Sequence, residues 1–475
     1  MRKQYTQMSL KNTYDDVVST LDIDKSKFLD LIEEHIDFDS FIPYEFHMSF
    51  NRRFGRPRSY CLDSFIRFFV FQKILGIQSD SLLINLLHMC PEIKRFCGFT
   101  KIPDASLLSR FRHSFADHLK LVFDKLVETT EPICREMDPK KSDYLIYDTT
   151  GIEPFVNENN PKFINSKLNQ AKKLAKSNPA INHHALVYSL MPDTAGADPT
   201  AKQQYINGHF CYAYKAGVLT NGLGIVRDIA FFDEGFRLRH PDVVAKKTDN
   251  PLLDKEIGDS VSLSPVLYDF FNVHKSFSYK TFIADTAFDK YDTYTMLRDE
   301  FGFERMSIPL NPRNSGSKPI GFDSNGTPVC PVDGTPFKYL GASKGANRSL
   351  RFKWVCHLSK TIPGFSGRHC FCLNRCTDSL YGRCVYTYPD KNLRFYPGLP
   401  RGTTHWDNLY CHRVLIERTI NSLKDPLGTS SRKSHSPRTA KADLLFAGIT
   451  HLICVLLAHA IHKPHLFKSP RKLIA

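Results

Sequence analysis

The chain has 475 residues, of which 64 are Lys or Arg and 49 are Asp or Glu, so its formal net charge is +15. Hydrophobic residues make up 42% of the sequence, which excludes a chain without a packed core, and the positive charge favours a polyanionic partner such as nucleic acid over a merely basic protein. Residues 1–16 lack the apolar stretch of a secretory signal, and the 13 cysteines therefore predict reduced thiols in a cytoplasmic protein.

Residues 1–135 are predicted to form a helical DNA-binding domain. The arginine-rich segment NRRFGRPR precedes an apolar helix that ends near Gly76, and a later helix opens at Pro103 and Asp104. A basic arm followed by short helices suits contacts with DNA phosphates, whereas a solvated helical bundle with a basic loop is the alternative. The residues predicted to contact DNA in this domain are Arg52, Arg53, Arg56, Arg58, Arg110 and Arg112.

Residues 142–310 are predicted to form the first part of an α/β domain. The runs YLIYDTT and TFIADTAFD each indicate a strand that ends at an acid, Asp148 in the first and Asp285 in the second. Side chains at strand ends project into the crevice where open α/β sheets bind ligands. An acid in that place more often caps a turn or the next helix, so neither residue alone predicts a site.

Residues 311–400 and 401–475 differ in composition. The first range is rich in Gly, Pro, Asn and Ser, and it is predicted to be an insertion of turns and short strands in the α/β domain. The second range returns to helices. Its apolar stretch 444–461 is long enough to cross a membrane, but three polar residues interrupt it, so we expect a buried helix of a large core and no membrane partner.

The stretch NLYCHRVLIERTINSLKDPLG, residues 408–428, is predicted to be one helix with a polar stripe. At about 100° per residue, Tyr410, Arg413, Glu417 and Lys424 share one face of this helix, and apolar residues beside them can anchor it to a core. Geometry alone favours a surface ladder of ion pairs. A ladder, however, does not require a tyrosine or two distant acids at strand ends.

The same stretch matches the pattern Y-x2-R-x3-E-x6-K and resembles the signature of insertion-sequence DDE transposases, the Y-R-E-K group. The segments YDTTGIEP and IADTAFDKYDTY resemble those around the family's first and second aspartates. FGRPRSYCLDSFIRFFVFQKILGI and FCGFTKIPDASLLSRFR resemble its helical N-terminal domain. The resemblance covers most of residues 45–460 and implies a ribonuclease H-like mixed sheet flanked by helices, in which residues 401–475 form the C-terminal helical part.

The resemblance implies a catalytic triad of Asp148, Asp285 and Glu417 that would hold two Mg²⁺ or Mn²⁺ ions. Asp289 is a weaker candidate for the second acid because it lies past the strand end. Two divalent ions about 3.5–4 Å apart can activate a water and stabilise the leaving oxygen of a phosphodiester. The implied reaction is hydrolysis at a transposon end, followed by attack of the freed 3′-OH on target DNA.

The remaining residues of the stripe take DNA-binding roles under this resemblance. Arg413 would bind a phosphate with two donors, Lys424 would supply a point charge, and Tyr410 would bind a phosphate or stack on a flipped base. Simple pairing with Glu417 is the alternative. We expect a homodimer acting on double-stranded DNA at the bacterial nucleoid. Two other functions stay open, a DNA-binding protein with an inactive transposase-like core and a metal-dependent nuclease on the same fold.

Cysteines are concentrated in the predicted insertion. A small, turn-rich segment with little apolar sequence can use a tetrahedral Zn²⁺ as its core, although the spacing is irregular and buried reduced thiols are an equal alternative. Cys372 or His357 can substitute for one ligand. The ligands predicted for Zn²⁺ are Cys330, Cys356, Cys370 and Cys376.

Overall fold

The fold is known from a computed structural model, which describes residues 27–51, 58–177, 186–187, 190–206, 209–241, 257–314, 320–346, 349–364, 367–430 and 434–473. Of the residues predicted to contact DNA, Arg52, Arg53 and Arg56 lie outside the described residues.

The N-terminal part of the chain is helical, as its sequence predicts. Its longest helix opens at Asp104, whose Oδ1 accepts a hydrogen bond from the Leu107 N–H at 2.7 Å, and it is kinked at Phe115. Phenylalanines from several of these helices pack edge to face or stacked in one core. The helices are α1 (Lys27–His35), α2 (Tyr44–Phe50), α3 (Leu62–Ile74), α4 (Asp80–Met89), α5 (Pro91–Phe96), α6 (Ala105–Met137) and α7 (Pro139–Ser142).

A six-stranded mixed sheet follows these helices. Strand β3 pairs antiparallel with β1, β2 and β4, whereas β1, β5 and β6 run parallel to one another. This observation confirms the mixed α/β class predicted for the region. The strands are β1 (Tyr144–Ile152), β2 (Lys202–Ile206), β3 (His209–Asn221), β4 (Val226–Phe231), β5 (Thr281–Ile283) and β6 (Arg305–Ser307).

Each face of the sheet is covered by helices. Side chains alternate along β1, so Ile146 packs into the core shared with the N-terminal helices, while Leu145 and Tyr147 pack into a second core on the other face. Buried residues of α10 and α11, Leu263 and Tyr294 among them, fill that second core. The helices within and around the sheet region are α8 (Pro161–Ser177), α9 (Glu234–Arg239), α10 (Asp259–Val273) and α11 (Tyr291–Asp299).

The C-terminal helices join the N-terminal helices to the sheet. They are α12 (Thr404–Tyr410), α13 (Arg413–Lys424) and α14 (Pro437–Ala460), and α14 packs against α3, α6 and β4. Among the described residues, α14 is the one helix long and apolar enough to cross a membrane, but 89% of its most apolar window is buried within the protein. A helix enclosed on all sides is apolar all round, and the predicted buried helix is therefore confirmed.

Three predicted boundaries are wrong. Strand β5 ends at Ile283, two residues before Asp285, so this acid follows the strand instead of ending it. Strand β1 does not end at Asp148 but continues to Ile152, because the residues after Asp148 pair with β3 on its other edge. The single helix predicted over residues 408–428 is two helices, α12 and α13, with turn residues Cys411 and His412 between them.

Residues 320–400 contain short strands and turns, as predicted for the insertion. Three strands form one small sheet in the order β11-β8-β7, and β9 pairs with β10. A separate small core contains Cys330, Phe337, Phe352, Trp354 and Tyr396. The strands are β7 (Lys338–Ser343), β8 (Arg351–Val355), β9 (Ser359–Thr361), β10 (Arg368–Cys370) and β11 (Cys384–Thr387).

Candidate active site

Asp148 lies on β1, and Asp285 lies just past the end of the neighbouring parallel strand β5. The last residues paired between β1 and β5 are Ile146 and Ile283, and each aspartate lies two residues beyond its isoleucine. Neighbouring strands are about 4.8 Å apart, so this register brings the two carboxylates side by side. Asp148 points to the same face of the sheet as Ile146, because side chains alternate along a strand.

Helix α13 brings the third acid to the same place. Its residues Ile416, Ile420 and Leu423 are buried, as expected for the apolar side of the stripe. The Thr419 hydroxyl donates a hydrogen bond of 2.8 Å to the Gly224 carbonyl, in the turn that joins β3 to β4. The helix is therefore fixed against the sheet by both apolar and polar contacts.

The guanidinium of Arg413 joins the three acids. Its Nη1 lies 2.5 Å from Glu417 Oε1, one helical turn away. Its Nη2 lies 3.4 Å from Asp148 Oδ2 and 3.4 Å from Asp285 Oδ2. Residues predicted to form a triad from three distant segments therefore converge on one cation; Asp148, Asp285 and Glu417 are called the acid cluster below.

The acid cluster is buried on one side and open on the other. The side chain of Asp148 is 21% exposed, against 40% for Asp285 and 46% for Glu417. Burial raises the pKa of Asp148 to about 6, the charges of Asp285 and Asp259 add to the increase, and Arg413 opposes it. A carboxylate whose pKa is raised by burial and by like charges is typical of a functional site.

The pKa of Arg413 is set by burial and by the three acids around it. Burial disfavours its charge, but the neighbouring carboxylates outweigh burial and raise its pKa. Its Nε is buried and has no hydrogen-bond partner among the residues that the structure describes. The arginine is therefore held by the acid cluster rather than by the protein around its stem.

Asp289, the rival for the second acid, lies in a different environment. Its side chain is wholly buried, and Arg394 binds both its oxygens, at 3.1 and 2.6 Å. It also accepts hydrogen bonds from the Tyr294 hydroxyl at 2.9 Å and from the Asn311 N–H at 2.6 Å. These contacts occupy the carboxylate, and they assign Asp289 to the packing of the insertion against the sheet.

The other two residues of the stripe are placed differently from each other. Tyr410 ends α12 beside the acid cluster, and its pKa is raised by burial and by the charges of the acids. Lys424 lies two turns beyond Glu417, where burial lowers its pKa and its charged neighbours include Glu153 and Asp425. The structure thus brings Tyr410 to the acids, but not Lys424.

A fourth acid, Asp259, lies next to the acid cluster and was not predicted from the sequence. Its Oδ1 accepts a hydrogen bond of 2.6 Å from the Thr149 hydroxyl and lies 2.6 Å from Lys215 Nζ. Asp259 is the first residue of α10, where an acid ordinarily complements the helix dipole. No local signal therefore links it to Asp148.

The described arginines of the predicted DNA-binding domain have different exposures. Arg58 is exposed, with its guanidinium 4.3 Å from the centre of the Phe50 ring. Arg110 is exposed and lines an open cavity of about 760 Å³. Arg112 is only 3% exposed and binds both oxygens of Asp80, at 3.0 and 2.6 Å. The predicted DNA contact of Arg112 conflicts with this placement, because the buried guanidinium cannot reach a phosphate without losing its partner.

No group of three or more His, Cys, Asp or Glu in the described part of the chain is already arranged to hold a metal ion. In the acid cluster the position between the carboxylates is taken by Arg413. The donor set itself consists of carboxylate oxygens, the ligands that Mg²⁺ and Mn²⁺ prefer. The residues present are therefore chemically suited to such ions once Arg413 moves aside.

Comparisons with known proteins give one match to a family model, in the N-terminal region. Residues 19–114 match the family model described as "Transposase domain (DUF772)". No curated protein matches the chain. Among solved structures, a piggyBac transposase synaptic complex with hairpin DNA aligns over 94% of this chain and 84% of that chain, at 11% identity and a TM-score of 0.26. That score is too low to establish a shared fold, so support for a transposase function comes from the matched domain.

Proposed function

We propose that the protein is a DDE-type DNA transposase of an insertion sequence, with Asp148, Asp285 and Glu417 as its catalytic acids. The observation that carries this proposal is the convergence of the three acids on the Arg413 guanidinium. The match of residues 19–114 to a transposase domain supports the same function independently. The mixed sheet, with helices on both faces, fits a ribonuclease H-like core.

Collecting three carboxylates at one place is unfavourable unless a cation is present, because like charges in a partly buried site repel each other. Arg413 supplies one positive charge to three acids, which leaves the site net negative. Such a site is suited to bind divalent cations. Burial raises the pKa of Asp148, and the charges of Asp285 and Asp259 add to the increase. A purely structural salt bridge would not need the two additional acids.

The acid cluster would hold Mg²⁺ or Mn²⁺ ions through its carboxylate oxygens. When bound, two such ions supply Lewis acidity for the attacking and leaving oxygens of a phosphodiester. Arg413, displaced from the acids, remains within reach of the same phosphate and can donate two parallel hydrogen bonds to it. Tyr410 lies beside this position and can orient the phosphate or stack on a base.

The remainder of the chain fits a protein that handles DNA ends. The net charge of +15 favours phosphate binding, and the helical N-terminal region would bind the terminal inverted repeats. The insertion would lie between the second aspartate and the helix that carries Glu417. A homodimer in the bacterial cytoplasm would hold two transposon ends together.

Glu417→Gln tests the proposal with minimal change of shape. The substrate is a plasmid that carries the reading frame with its own flanking DNA. We expect wild type to nick the plasmid at the element's ends with Mg²⁺, and the variant to bind the same DNA but not nick it. Glu304→Gln is the matched control, because Glu304 is an exposed acid with only a 3.9 Å ion pair to Lys280.

Three outcomes of this experiment contradict parts of the proposal. Retained nicking by Glu417→Gln overturns the assignment of the triad. DNA binding by wild type without nicking in Mg²⁺ or Mn²⁺ indicates an inactive transposase-like core. Nicking without any joined product in a target-capture assay indicates a nuclease on the same fold.

A further inference from the structure

Four cysteines of the insertion lie close together although they are far apart in the chain. The sulfur atoms of Cys356 and Cys370 are 3.7 Å apart. Cys330 is buried in the small core of the insertion, and the half-buried Cys376 packs against that core. The Cys330 thiol lies within hydrogen-bonding reach of the Cys376 thiol and close to Cys356. The four thiols therefore form one connected group.

The backbone presents these thiols from turns and strand ends. Cys330 opens a tight turn in which the Gly334 N–H donates to the Cys330 carbonyl at 2.9 Å. Cys356 follows β8, and Cys370 is the last residue of β10. Gly382 passes so close to the Cys356–Cys370 pair that a Cβ at this position would lie 2.9 Å from the Cys370 Cβ. Chain segments thus pack tightly around the thiols and fix their positions.

The distance between the Cys356 and Cys370 sulfurs distinguishes a disulfide from a pair of metal ligands. It is too long for a disulfide, in which the sulfurs are about 2.05 Å apart. Thiolates bound to zinc at about 2.3 Å in a tetrahedron are about 3.8 Å from one another. The observed 3.7 Å is therefore close to one edge of a tetrahedral zinc–thiolate site.

The insertion also needs a source of stability beyond its apolar residues. Five buried residues form its core, one of which is Cys330 itself. Its strands are three to six residues long, and it holds Arg394, which binds the buried Asp289 beside the catalytic sheet. Small units of this kind are commonly stabilised by a structural metal.

We propose that Cys330, Cys356, Cys370 and Cys376 bind one structural Zn²⁺. The described sulfurs are not already arranged around a single point, so binding would draw Cys330 and Cys376 toward the Cys356–Cys370 pair. Four thiols each lose a proton as four Zn–S bonds form, and no oxidant is needed. Cys372 is not a ligand, because its thiol is directed at the Asn374 carbonyl of its own loop, 3.1 Å away.

His357 and Asp333 lie near the cysteines but are not proposed as ligands. His357 Nε2 lies 3.5 Å from Asp333 Oδ2, so this contact joins the residue after Cys356 to the turn that Cys330 opens. Burial raises the pKa of Cys356 to about 11, and the adjacent thiols contribute to the increase. Zinc binding must displace the protons of the four thiols, so the affinity for zinc should weaken in acidic buffer.

The test is the metal content of the full chain, purified without chelator from cells grown with added zinc. We expect about one zinc per chain in wild type, and loss of most of it in Cys356→Ser and Cys370→Ser. Cys376→Ser should also lose zinc, whereas Cys372→Ser and Cys411→Ser should keep it. Cys411 is exposed and lies outside the insertion.

A second measurement uses only wild-type protein, so it tests the zinc site even where a cysteine variant does not fold. Wild-type protein stripped of metal is titrated with Co²⁺, and we expect the intense charge-transfer and d–d absorption of a tetrahedral thiolate site. Less than a tenth of a zinc per chain together with no such absorption overturns the proposal, as does equal zinc in wild type and in Cys356→Ser. Asp148→Asn combined with Glu417→Gln should keep the zinc, so this result is independent of the proposed catalytic function.

Discussion

Arg413 Nη2 lies 3.4 Å from Asp148 Oδ2, although the two residues are 265 positions apart in the chain. The same Nη2 atom is also 3.4 Å from Asp285 Oδ2. The other terminal nitrogen of the guanidinium, Nη1, binds Glu417 Oε1. The arginine thus occupies the position that divalent cations would take in the proposed reaction. Metal binding and the contacts of Arg413 should therefore exclude each other.

Arg413→Gln should strengthen metal binding while it weakens cleavage. A positive charge about 4 Å from an incoming divalent cation costs roughly 2–8 kcal/mol between the dielectric of water and that of a protein surface, so we expect the Kd for Mn²⁺ to fall by at least tenfold. Cleavage should fall because the donor to the phosphate is lost. Binding of Mn²⁺, followed by electron paramagnetic resonance, measures the first effect, and plasmid nicking measures the second.

Arg418→Gln is the control for this prediction, because Arg418 is exposed on the same helix. Weaker Mn²⁺ binding in Arg413→Gln than in wild type would show that the arginine helps to form the metal site instead of competing for it.

Asp148→Asn should stabilise the metal-free protein at neutral pH. The pKa of Asp148 is raised to about 6 in the fold, so the folded state binds this proton more tightly than the unfolded state does. Stability from this group is therefore present below the unfolded pKa and is lost as the pH rises through about 6. The expected gain in the free energy of unfolding is about 2–3 kcal/mol, and the attraction to Arg413 is already included because it is part of the shifted pKa.

Denaturation by urea in chelator, at pH 7.5 and at pH 4.5, measures this effect. The variant should be more stable than wild type at pH 7.5, and the gain should shrink at pH 4.5. Asp63→Asn, which removes one carboxylate of a partly exposed ion pair on α3, is the control. A gain that grows as the pH falls would contradict the raised pKa.

The resemblance to a transposase family implied which three acids belong together, and the structure brings them to one place. Helix geometry by itself accounts only for the pairing of Arg413 with Glu417, one turn apart. The sequence was not sufficient to predict that β1 continues past Asp148, since that continuation depends on pairing with β3. The break between α12 and α13 was also missed. Cys411 and His412 are compatible with a helix, and the helical pattern continues on both sides of them.

Burial of charged residues was the hardest feature to predict. An arginine in an early helical turn ordinarily faces solvent, but Arg112 enters the core because Asp80, 32 residues earlier, meets it there. Asp259 carries an ordinary signal of a helix start, yet it lies beside Asp148. In both cases the decisive partner is distant in sequence, and no local pattern encodes the contact.

Arg394→Met should destabilise the protein strongly. Asp289 is wholly buried, and removal of its bidentate partner leaves an uncompensated charge, which costs about 3–5 kcal/mol. Arg298→Met is the matched control, because Arg298 pairs on the surface with its neighbour Asp299 and should cost less than about 1 kcal/mol. Urea denaturation at pH 7.5 compares the two variants. Equal small losses would show that Asp289 is neutral or solvated in the fold.

Arg110→Met and Arg112→Met should separate DNA binding from stability within one helix. Arg110 is exposed, so its loss should weaken DNA binding similarly for all sequences and reduce the slope of log K against log salt by about 1. Arg112 is buried on Asp80, so its loss should reduce the free energy of unfolding by about 3–5 kcal/mol and leave that slope unchanged. Fluorescence anisotropy with labelled duplex at several salt concentrations, on samples checked by thermal denaturation, measures both quantities. A reduced slope in Arg112→Met, at a temperature where it is fully folded, would show that this arginine leaves the core to contact phosphate.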